Sequence, residues 1–291
     1  MDDDAPEITV VTPSYRQADY LEENVRSVPS RAGTGVEHVV VDGGSEDGTV
    51  ALLERMAEDR PGLRWVSEPD EGQPDAVNKG VRMARGEWIA VQNSDDYFLP
   101  GAFEAFRRAR RRRPGHVGYY ANVLRVDAAG EPVQRIYCSR PSGFVHRYRG
   151  LTIRHQTLFL HRDAWAEVGG WDVRFYLALD YDWIGRLLRA DLPLRHVAET
   201  WAAFRGQAEA KSERATGRQW REEIEDALGG PRYPGGVWTR PFLRGAAAAV
   251  QWMHIVADNG PGALADRLAG KLGAGVRDAP ADPRPAPEQA R

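Results

Sequence analysis

Asp95 and Asp96 stand side by side after the apolar run Trp88–Val91 and the polar residues Gln92-Asn93-Ser94. Adjacent carboxylates repel each other unless a cation or hydrogen-bond donors offset the charge. Magnesium is commonly held by one or two protein carboxylates together with substrate phosphates. The pair therefore suits a metal–diphosphate site, and a helix-capping role fits it equally well. Three more polar, turn-forming stretches follow apolar runs: Thr12-Pro13-Ser14-Tyr15, Asp42-Gly43-Gly44-Ser45-Glu46-Asp47-Gly48 and Ser67-Glu68-Pro69-Asp70-Glu71-Gly72-Gln73. Asp, Gly and Pro make turns and cap helices for purely local reasons. That accounts for Glu46, Asp47 and Gly48, and it accounts poorly for Asp95-Asp96. Farther along, Asp180 and Asp182 open a helical pattern, where acids favour the helix dipole.

The elements that must position these residues alternate through the first hundred positions. Short β-branched or apolar runs occur at Ile8–Val11, Val39–Val41, Leu63–Val66 and Trp88–Val91. Between them Leu21, Val25 and Val28 share one helical face, as do Val50, Leu53 and Ala57, and then Val77, Val81 and Ala84. This alternation implies βαβ units and a parallel, helix-covered sheet. Ligands of such sheets bind beyond the carboxyl ends of the strands, which is where the four polar stretches fall. From about His116 the rhythm changes. Strands are expected at Val117–Val126, Thr157–Leu160 and Leu194–Phe204, helices at Asp163–Val168 and Asp180–Arg189, and a hairpin turn at Asp127–Gly130. A polar helix at about Glu209–Leu228, a Gly/Pro break at Gly229–Gly236 and a helix at about Arg240–Val256 follow. The Pro/Ala tail after Arg277 is expected to be disordered.

Composition excludes several classes. With 291 residues, 42% hydrophobic and 28% charged, the chain is globular rather than collagenous or wholly disordered. Its 39 basic and 42 acidic residues give a net charge of −3, with no global pull toward nucleic acid. Cys138 is the single cysteine, which excludes an internal disulfide and a multi-cysteine zinc site. That solitary thiol and the acidic start Met1-Asp2-Asp3-Asp4 suit a cytoplasmic protein, peripheral at most to the inner face of a membrane. The uncharged stretch Gly245–Ala257 is shorter than the ~20 residues a bilayer span needs. No Gly-x-Gly-x-x-Gly follows the first strand and no Gly-Lys-Ser/Thr loop occurs, so dinucleotide oxidoreductases and P-loop kinases fit poorly.

Taken together, Thr12-Pro13-Ser14-Tyr15, Val41-Asp42-Gly43-Gly44-Ser45-x-Asp47-Gly48-Thr49 and Asn93-Ser94-Asp95-Asp96 resemble family 2 glycosyltransferases of the GT-A fold. So do Ser67-Glu68-Pro69-Asp70-x-Gly72-Gln73-x-Asp75-Ala76-x-Asn78-Lys79-Gly80, His155-Gln156-Thr157, Gly169-Gly170-Trp171-Asp172 and Leu179-Asp180-Tyr181-Asp182-Trp183. The resemblance runs from about Ile8 to Ser212, with a large bacterial branch as the nearest pattern. It implies an α/β, Rossmann-like GT-A sheet, mostly parallel, and an inverting transfer of a sugar from a nucleoside diphosphate to an acceptor hydroxyl. Pro13, Tyr15 and Asp42 would then hold the nucleobase and ribose, and Asp95 would lie near the ribose or sugar. Asp96 would bind a divalent cation, manganese or magnesium. Asp75 and Lys79 would face the same pocket, and Asp180 would be the general base. His155, Gln156 and Gln207 would line the donor or acceptor pocket. Glutamine at 207 stands where the family often has histidine, and Asn122 where this branch often has aspartate. A UDP-sugar is the favoured donor, with dTDP- and GDP-sugars open, and the acceptor is a carbohydrate, a lipid-linked sugar or a secondary metabolite.

The expected organisation is a GT-A domain over residues 5–207, split into a nucleotide-sugar half (5–115) and an acceptor half (116–207). A helical extension (208–276) and a disordered tail (277–291) complete it. Several residues keep two readings. Asp180 and Asp182 also read as a helix N-cap and its first-turn partner, Tyr15 as core packing and His155 as a strand-end residue. Trp165, Trp171 and Trp183 read as core, with sugar stacking as the minor alternative. Arg107, Arg108 and Arg110–Arg113 read as a solvated helix end, with anionic lipid as the rival partner. The apolar helix after Arg240 reads as packing on the domain or on a second copy, or as interfacial docking. A nucleotide-binding scaffold without turnover and a sugar-phosphate nucleotidyltransferase are the rival functions; the latter would need a Gly-rich loop after the first strand.

Overall fold

The computed structural model describes residues 5–206 and 216–271. Strands β1 (Ile8–Ser14), β2 (Val36–Asp42), β3 (Leu63–Ser67) and β4 (Trp88–Val91) alternate with helices α1 (Ala18–Ser27), α2 (Thr49–Ala57) and α3 (Gln73–Met83). Every residue of β1 and β2 is buried, as their β-branched runs require when helices cover both faces of a parallel sheet. These four strands lie in the order β3-β2-β1-β4, all parallel. Their carboxyl ends therefore emerge along one edge. Ser14 pairs with Asp42, and Asp42 with Ser67, at the last register positions of β1, β2 and β3.

Beyond β4 the sheet becomes mixed. It is built from β5 (Tyr97–Phe98), β6 (Gly118–Val126), β7 (Pro132–Ile136), β8 (Phe159–His161) and β9 (Leu194–Arg205), with α4 (Ala102–Arg112), α5 (Gly143–Tyr148), α6 (Arg162–Val168) and α7 (Leu179–Arg189) around it. The order continues β4-β8-β6-β9-β5, with β7 on the side of β6. Only β6 and β9 run parallel here; β8, β5 and β7 are antiparallel to their neighbours. The parallel character expected from the sequence thus belongs to the first four strands. The Asp127–Gly130 hairpin, closed by Gly130 N–H donating to Asp127 O at 3.0 Å, forces β7 back antiparallel.

The two faces of the sheet carry different cores. On one, Phe98, Phe103, Phe106, Tyr119, Phe159 and Trp201 pack together, with Phe106 and Phe159 stacked at 4.5 Å. On the other, Trp165 stacks on Trp183 at 4.3 Å beside Trp171, all three buried. These tryptophans are core, so the sugar-stacking alternative falls. The arginines ending α4 are ion-paired: Arg107 and Arg110 to Glu7 at 2.7 Å each, Arg108 to Glu199 at 2.9 Å. Their partners are acidic side chains of this chain.

Three further helices follow: α8 (Gly217–Ala227), α9 (Arg240–Asn259) and α10 (Gly262–Lys271). Trp220, Ile224 and Ala227 of α8, spaced for one helical face, pack on the tryptophan core. No helix among the described residues is long and apolar enough to cross a membrane. The expected disordered tail, residues 277–291, lies outside the described residues.

Close packing of α3 on β1 fixes the loop between β3 and α3. A Cβ added at Gly80 would lie 2.3 Å from Val11 Cγ1. Gly80→Ala should therefore cost about 1–3 kcal/mol of overpacking strain, outweighing the roughly 1 kcal/mol helix-propensity gain of alanine. Urea unfolding of the variant against the wild type checks this; an unchanged or raised stability would refute the contact.

Candidate active site

The first wall of the site is the loop after β2. Asp42, fully buried, accepts hydrogen bonds from Gly44 N–H (3.2 Å), Ser45 N–H (2.8 Å), Ser45 Oγ–H (2.6 Å) and Ser67 Oγ–H (2.7 Å). Four donors engage its carboxylate, so it organises the loop. Pro13 is buried within β1, paired in register with Val41. Tyr15, by contrast, is 54% exposed, so the core-packing alternative is wrong for it. The chain turns outward at Arg16, whose φ of 53° is left-handed and whose N–H donates to Ser45 Oγ at 2.7 Å. Gly43 lies where loops from three strands meet. A Cβ there would lie 2.8 Å from Asp70 Oδ2 and 3.2 Å from Tyr15 Cδ2.

The second wall carries Asp95 and Asp96. Asp96 is 1% exposed. Its Oδ1 accepts from the Arg205 backbone N–H at 2.9 Å, and its Oδ2 from Asn93 Nδ2 at 3.1 Å and Gln156 Nε2 at 3.3 Å. Burial first, and then the adjacent Asp95 carboxylate, hold Asp96 well above the ordinary carboxylate range despite these donors. A buried carboxylate in that state favours a neighbouring cation. Asp95 is half-buried, and its carbonyl accepts from Arg205 Nε at 3.1 Å. The loop itself is pinned from α1, where buried Asn24 donates from Nδ2 to Asn93 O (2.8 Å) and Asp96 O (2.9 Å). Thr12 Oγ1 donates to Asn24 Oδ1 at 3.3 Å and lies 2.9 Å from His38 Nε2. Burial, with Arg60 nearby, pulls His38 down to about 3, so this buried network carries no imidazolium at neutral pH. Capping does not explain Asp95-Asp96: the helix that follows begins at Ala102.

Asp75 and Lys79 lie one helical turn apart on α3, and their side chains meet at 3.3 Å. Lys79 Nζ also reaches Glu68 at 3.0 Å and donates to Pro69 O at 3.1 Å. Its hydrogen bond to Glu68, ahead of the effects of Asp75, raises the ammonium above its ordinary value. Asn78, between them in sequence, clamps the next segment: it donates to Trp171 O and accepts from Trp171 N–H, both at 2.8 Å.

The third wall is the short 3-10 turn His155–Thr157. Two adjacent residues of this turn face two different carboxylates. Gln156 reaches Asp96, and His155 Nδ1 lies 3.6 Å from Asp180 Oδ2. Thr157 fixes the turn to β6 by exchanging hydrogen bonds with Ala121 O (2.8 Å) and N–H (3.2 Å). Burial raises Asp180, but His155, Arg154 and the Tyr181 N–H together outweigh it and hold the carboxyl below its ordinary value. Neither Asp180 nor Asp182 is the N-cap of α7, but both lie in its first turn, so the dipole part of the helix reading stands. The N-cap of α7 is Ala178, and Asp182 pairs with Arg186 at 2.9 Å.

Three contributors were not foreseen. Asn24 was legible in part, as a polar residue among the apolar positions of α1. Arg205, 3% exposed, links the site across the sheet end: it bonds Asp95 O and Ala128 O, pairs with Glu23, and lies over the rings of Tyr20 and Tyr97 at 5.2 and 5.5 Å. Glu223 of α8 accepts from three consecutive backbone N–H groups, Tyr176 (3.1 Å), Leu177 (2.8 Å) and Ala178 (2.9 Å), just before Asp180. Gln207, with Lys211 and Ser212 beyond it, lies outside the described residues. Asn122 holds α9: its Nδ2 donates to Asn259 Oδ1 at 2.8 Å while its Oδ1 accepts from Cys138 N–H at 2.9 Å. An aspartate could not play both parts. Among the described residues no group of three or more His, Cys, Asp and Glu side chains is arranged to hold a metal by itself.

Comparison with known proteins places this geometry. The family model for Glycosyl transferase family 2 matches residues 9–167. An uncharacterized glycosyltransferase of Mycobacterium tuberculosis is 31% identical over 185 residues, 62% of this chain and 69% of the relative. The chondroitin synthase of Escherichia coli is 26% identical over 192 residues, and the match covers 66% of this chain but only 28% of that longer protein. Among solved structures, S. aureus TarS in complex with UDP-GlcNAc matches with a TM-score of 0.59 at 12% identity, covering 92% of each chain. A Pyrobaculum calidifontis mannosyltransferase in complex with GDP-Man and Mn2+ matches at 0.56 and 18% identity, covering 94% of this chain and 77% of that one. At these identities the structures speak to the fold.

Two substitutions test the framework. Asn24→Ala removes three hydrogen bonds, two donated to the Asn93 and Asp96 carbonyls and one accepted from Thr12, and leaving buried polar groups without their partner costs about 1–3 kcal/mol each at most; chemical denaturation should show the loss. Glu223→Ala leaves three N–H groups before Asp180 without their acceptor. It should lower thermal stability and increase amide exchange at Tyr176–Ala178 specifically; exchange unchanged there would refute the contact.

Proposed function

The chain belongs to glycosyl transferase family 2 and has the GT-A fold, and from that premise we propose that it is an inverting, divalent-metal-dependent transferase with Asp180 as its base. The observation that carries this reading is the His155–Thr157 turn. It ties Gln156 to the buried carboxylate of Asp96 and sets His155 Nδ1 3.6 Å from the largely buried carboxylate of Asp180. The two carboxylates are held in opposite states, Asp96 raised and Asp180 lowered. Groups pushed apart in this way take different chemical roles.

In this reading the nucleoside diphosphate of the donor lies along the carboxyl ends of β1–β4. Tyr15 offers an exposed ring for the nucleobase, and the loop that Asp42 holds in shape lies beside it. Asp75, Lys79 and Asp95 border the same cleft. A UDP-sugar is the first donor to test; neighbours in complex with UDP-GlcNAc and with GDP-Man support a nucleotide-sugar donor without selecting the base. The chain's donor set fits a manganese or magnesium ion: a buried carboxylate raised by burial, beside the buried Gln156 Oε1 that has no partner among the described residues. Asp96 would hold the ion with Asp95 adjacent, one or two carboxylates plus phosphate oxygens being a common magnesium environment. When bound, such an ion neutralises charge that develops on the departing diphosphate.

Asp180 takes the proton of the acceptor hydroxyl as its oxygen attacks the anomeric carbon. The new carbon–oxygen bond forms on the face opposite the bond to the diphosphate, which breaks with its electron pair and leaves as the nucleotide. One displacement inverts the anomeric centre. A positioned base of this kind contributes about 10²–10⁴ in rate. The acceptor is proposed to be a carbohydrate hydroxyl, free or lipid-linked, in polysaccharide synthesis.

Two experiments test the assignment. Calorimetry with UDP, dTDP and GDP, each with manganese and with EDTA, should show metal-dependent binding of one nucleotide. Asp96→Asn should abolish that binding, whereas Asp180→Asn should keep it and lose at least about a hundredfold in transfer; wild-type transfer by either variant refutes its role. The pH dependence has a defined sign. As pH falls from neutrality, Asp96 takes up its proton first because its value is raised, while Asp180 stays ionised. Protonation competes with cation binding, so activity lost in mildly acidic buffer should be restored by excess manganese. A loss that manganese leaves untouched would place the titration on another group.

A further inference from the structure

The surface of α9 presents a problem that the transfer reaction does not solve. One face of this helix packs inward through Ala247 and Ile255, and Asn259 secures its end by donating to Cys138 O at 3.1 Å. The opposite face is apolar as well. Phe242, Gly245, Ala249, Met253 and Ala257 follow helical three- and four-residue spacing and are exposed, Phe242 to 76% and Met253 to 62%. Trp238, one turn earlier, is 91% exposed. A helix that is apolar on both faces gains stability only when both are covered, and none of the described residues covers the second.

The one acid of α9, Asp258, is paired with Arg140, and the other charges beside the stripe are basic. From Ala227 to Ala257 the sequence has no aspartate or glutamate, and its charged residues are Arg232, Arg240 and Arg244. The guanidiniums of Arg232 and Arg240 lie over the ring of Tyr233 at 5.7 and 5.8 Å, and Tyr233 adjoins Tyr148 at 6.0 Å. Exposed tryptophan and phenylalanine beside arginines is the composition of an interfacial helix, with rings at headgroup depth and guanidiniums on anionic phosphates. A second copy docking on the same stripe would bring these arginines together without any acid of this segment to meet them. A bilayer with anionic headgroups supplies the missing charge.

We propose that α9 and the turn before it dock in the plane of an anionic membrane surface, inserting Trp238, Phe242 and Met253 between headgroups. The surface is independent of the nucleotide-sugar reading, because none of its residues lies in the cleft. Vesicle flotation of the full chain tests it, with phosphatidylcholine vesicles and with vesicles that also contain phosphatidylglycerol. The wild type should float with the mixed vesicles and release at high salt. Arg240→Ala with Arg244→Ala should weaken binding about tenfold to thirtyfold, at roughly 1 kcal/mol per basic residue. Trp238→Ser with Phe242→Glu should abolish it; these side chains are exposed, and circular dichroism identical to the wild type confirms the fold. Equal binding to neutral vesicles, or none to either, overturns the proposal. So does a wild-type dimer that Phe242→Glu converts to monomer, which would assign the stripe to a second copy.

Discussion

A carboxylate kept dry and close to another carboxylate is the constraint around which this structure is organised. An ionised side chain in such a place costs several kcal/mol unless donors or counter-charges surround it. Asp96 takes its donors from its own loop, from the His155–Thr157 turn and from the end of β9. Because its value is raised in the fold, the protein is stabilised by a proton on Asp96 at low pH and loses that contribution as pH rises through the raised value. The fold thus tolerates a standing cost at neutral pH. A bound cation is what would offset it, which ties ligand occupancy to stability through the group proposed to bind the ion.

The two halves of the sheet divide the work. Four parallel strands deliver the polar loops to one edge, and the mixed half brings the donors that fix those loops. Arg205 is the clearest joint. Its planar guanidinium bonds two carbonyls, pairs with Glu23 and is flanked by two tyrosine rings. Only an arginine offers a fork of donors and a stacking plane together. Its backbone N–H meanwhile holds Asp96. One residue therefore sets the distance between the end of β9 and the acidic loop.

How much of this was legible follows from sequence distance. The four strands and their polar exits could be read because strand period and turn chemistry are local. Asp96 and Asp180 could be singled out for the same reason, since each stands at the start of a loop or helix. Tyr15 could not be decided, because an aromatic after a strand is compatible with either face, and the left-handed turn at Arg16 settles it outward. The mixed strand order was hidden, since the antiparallel entry of β8 depends on pairing between segments 69 to 73 residues apart. Asp42 read as a ligand-binding acid, yet its donors include Ser67 on another strand, which no local pattern reveals. Glu223 was hidden most completely: it sits in a polar helix whose partner N–H groups lie 45–47 residues away.

Glu223 and Asn122 also change what the C-terminal helices are. An appendage would touch the domain through side chains that could be exchanged freely. Here α8 satisfies three backbone donors at the entry to α7, and α9 is held by the Asn122 amide, which donates to Asn259 while accepting from Cys138 N–H. Unsatisfied backbone donors and amides are costly when buried, so separating these helices from the domain would expose that cost at the segment preceding Asp180. The geometry of the proposed base and the presence of the extension are therefore coupled.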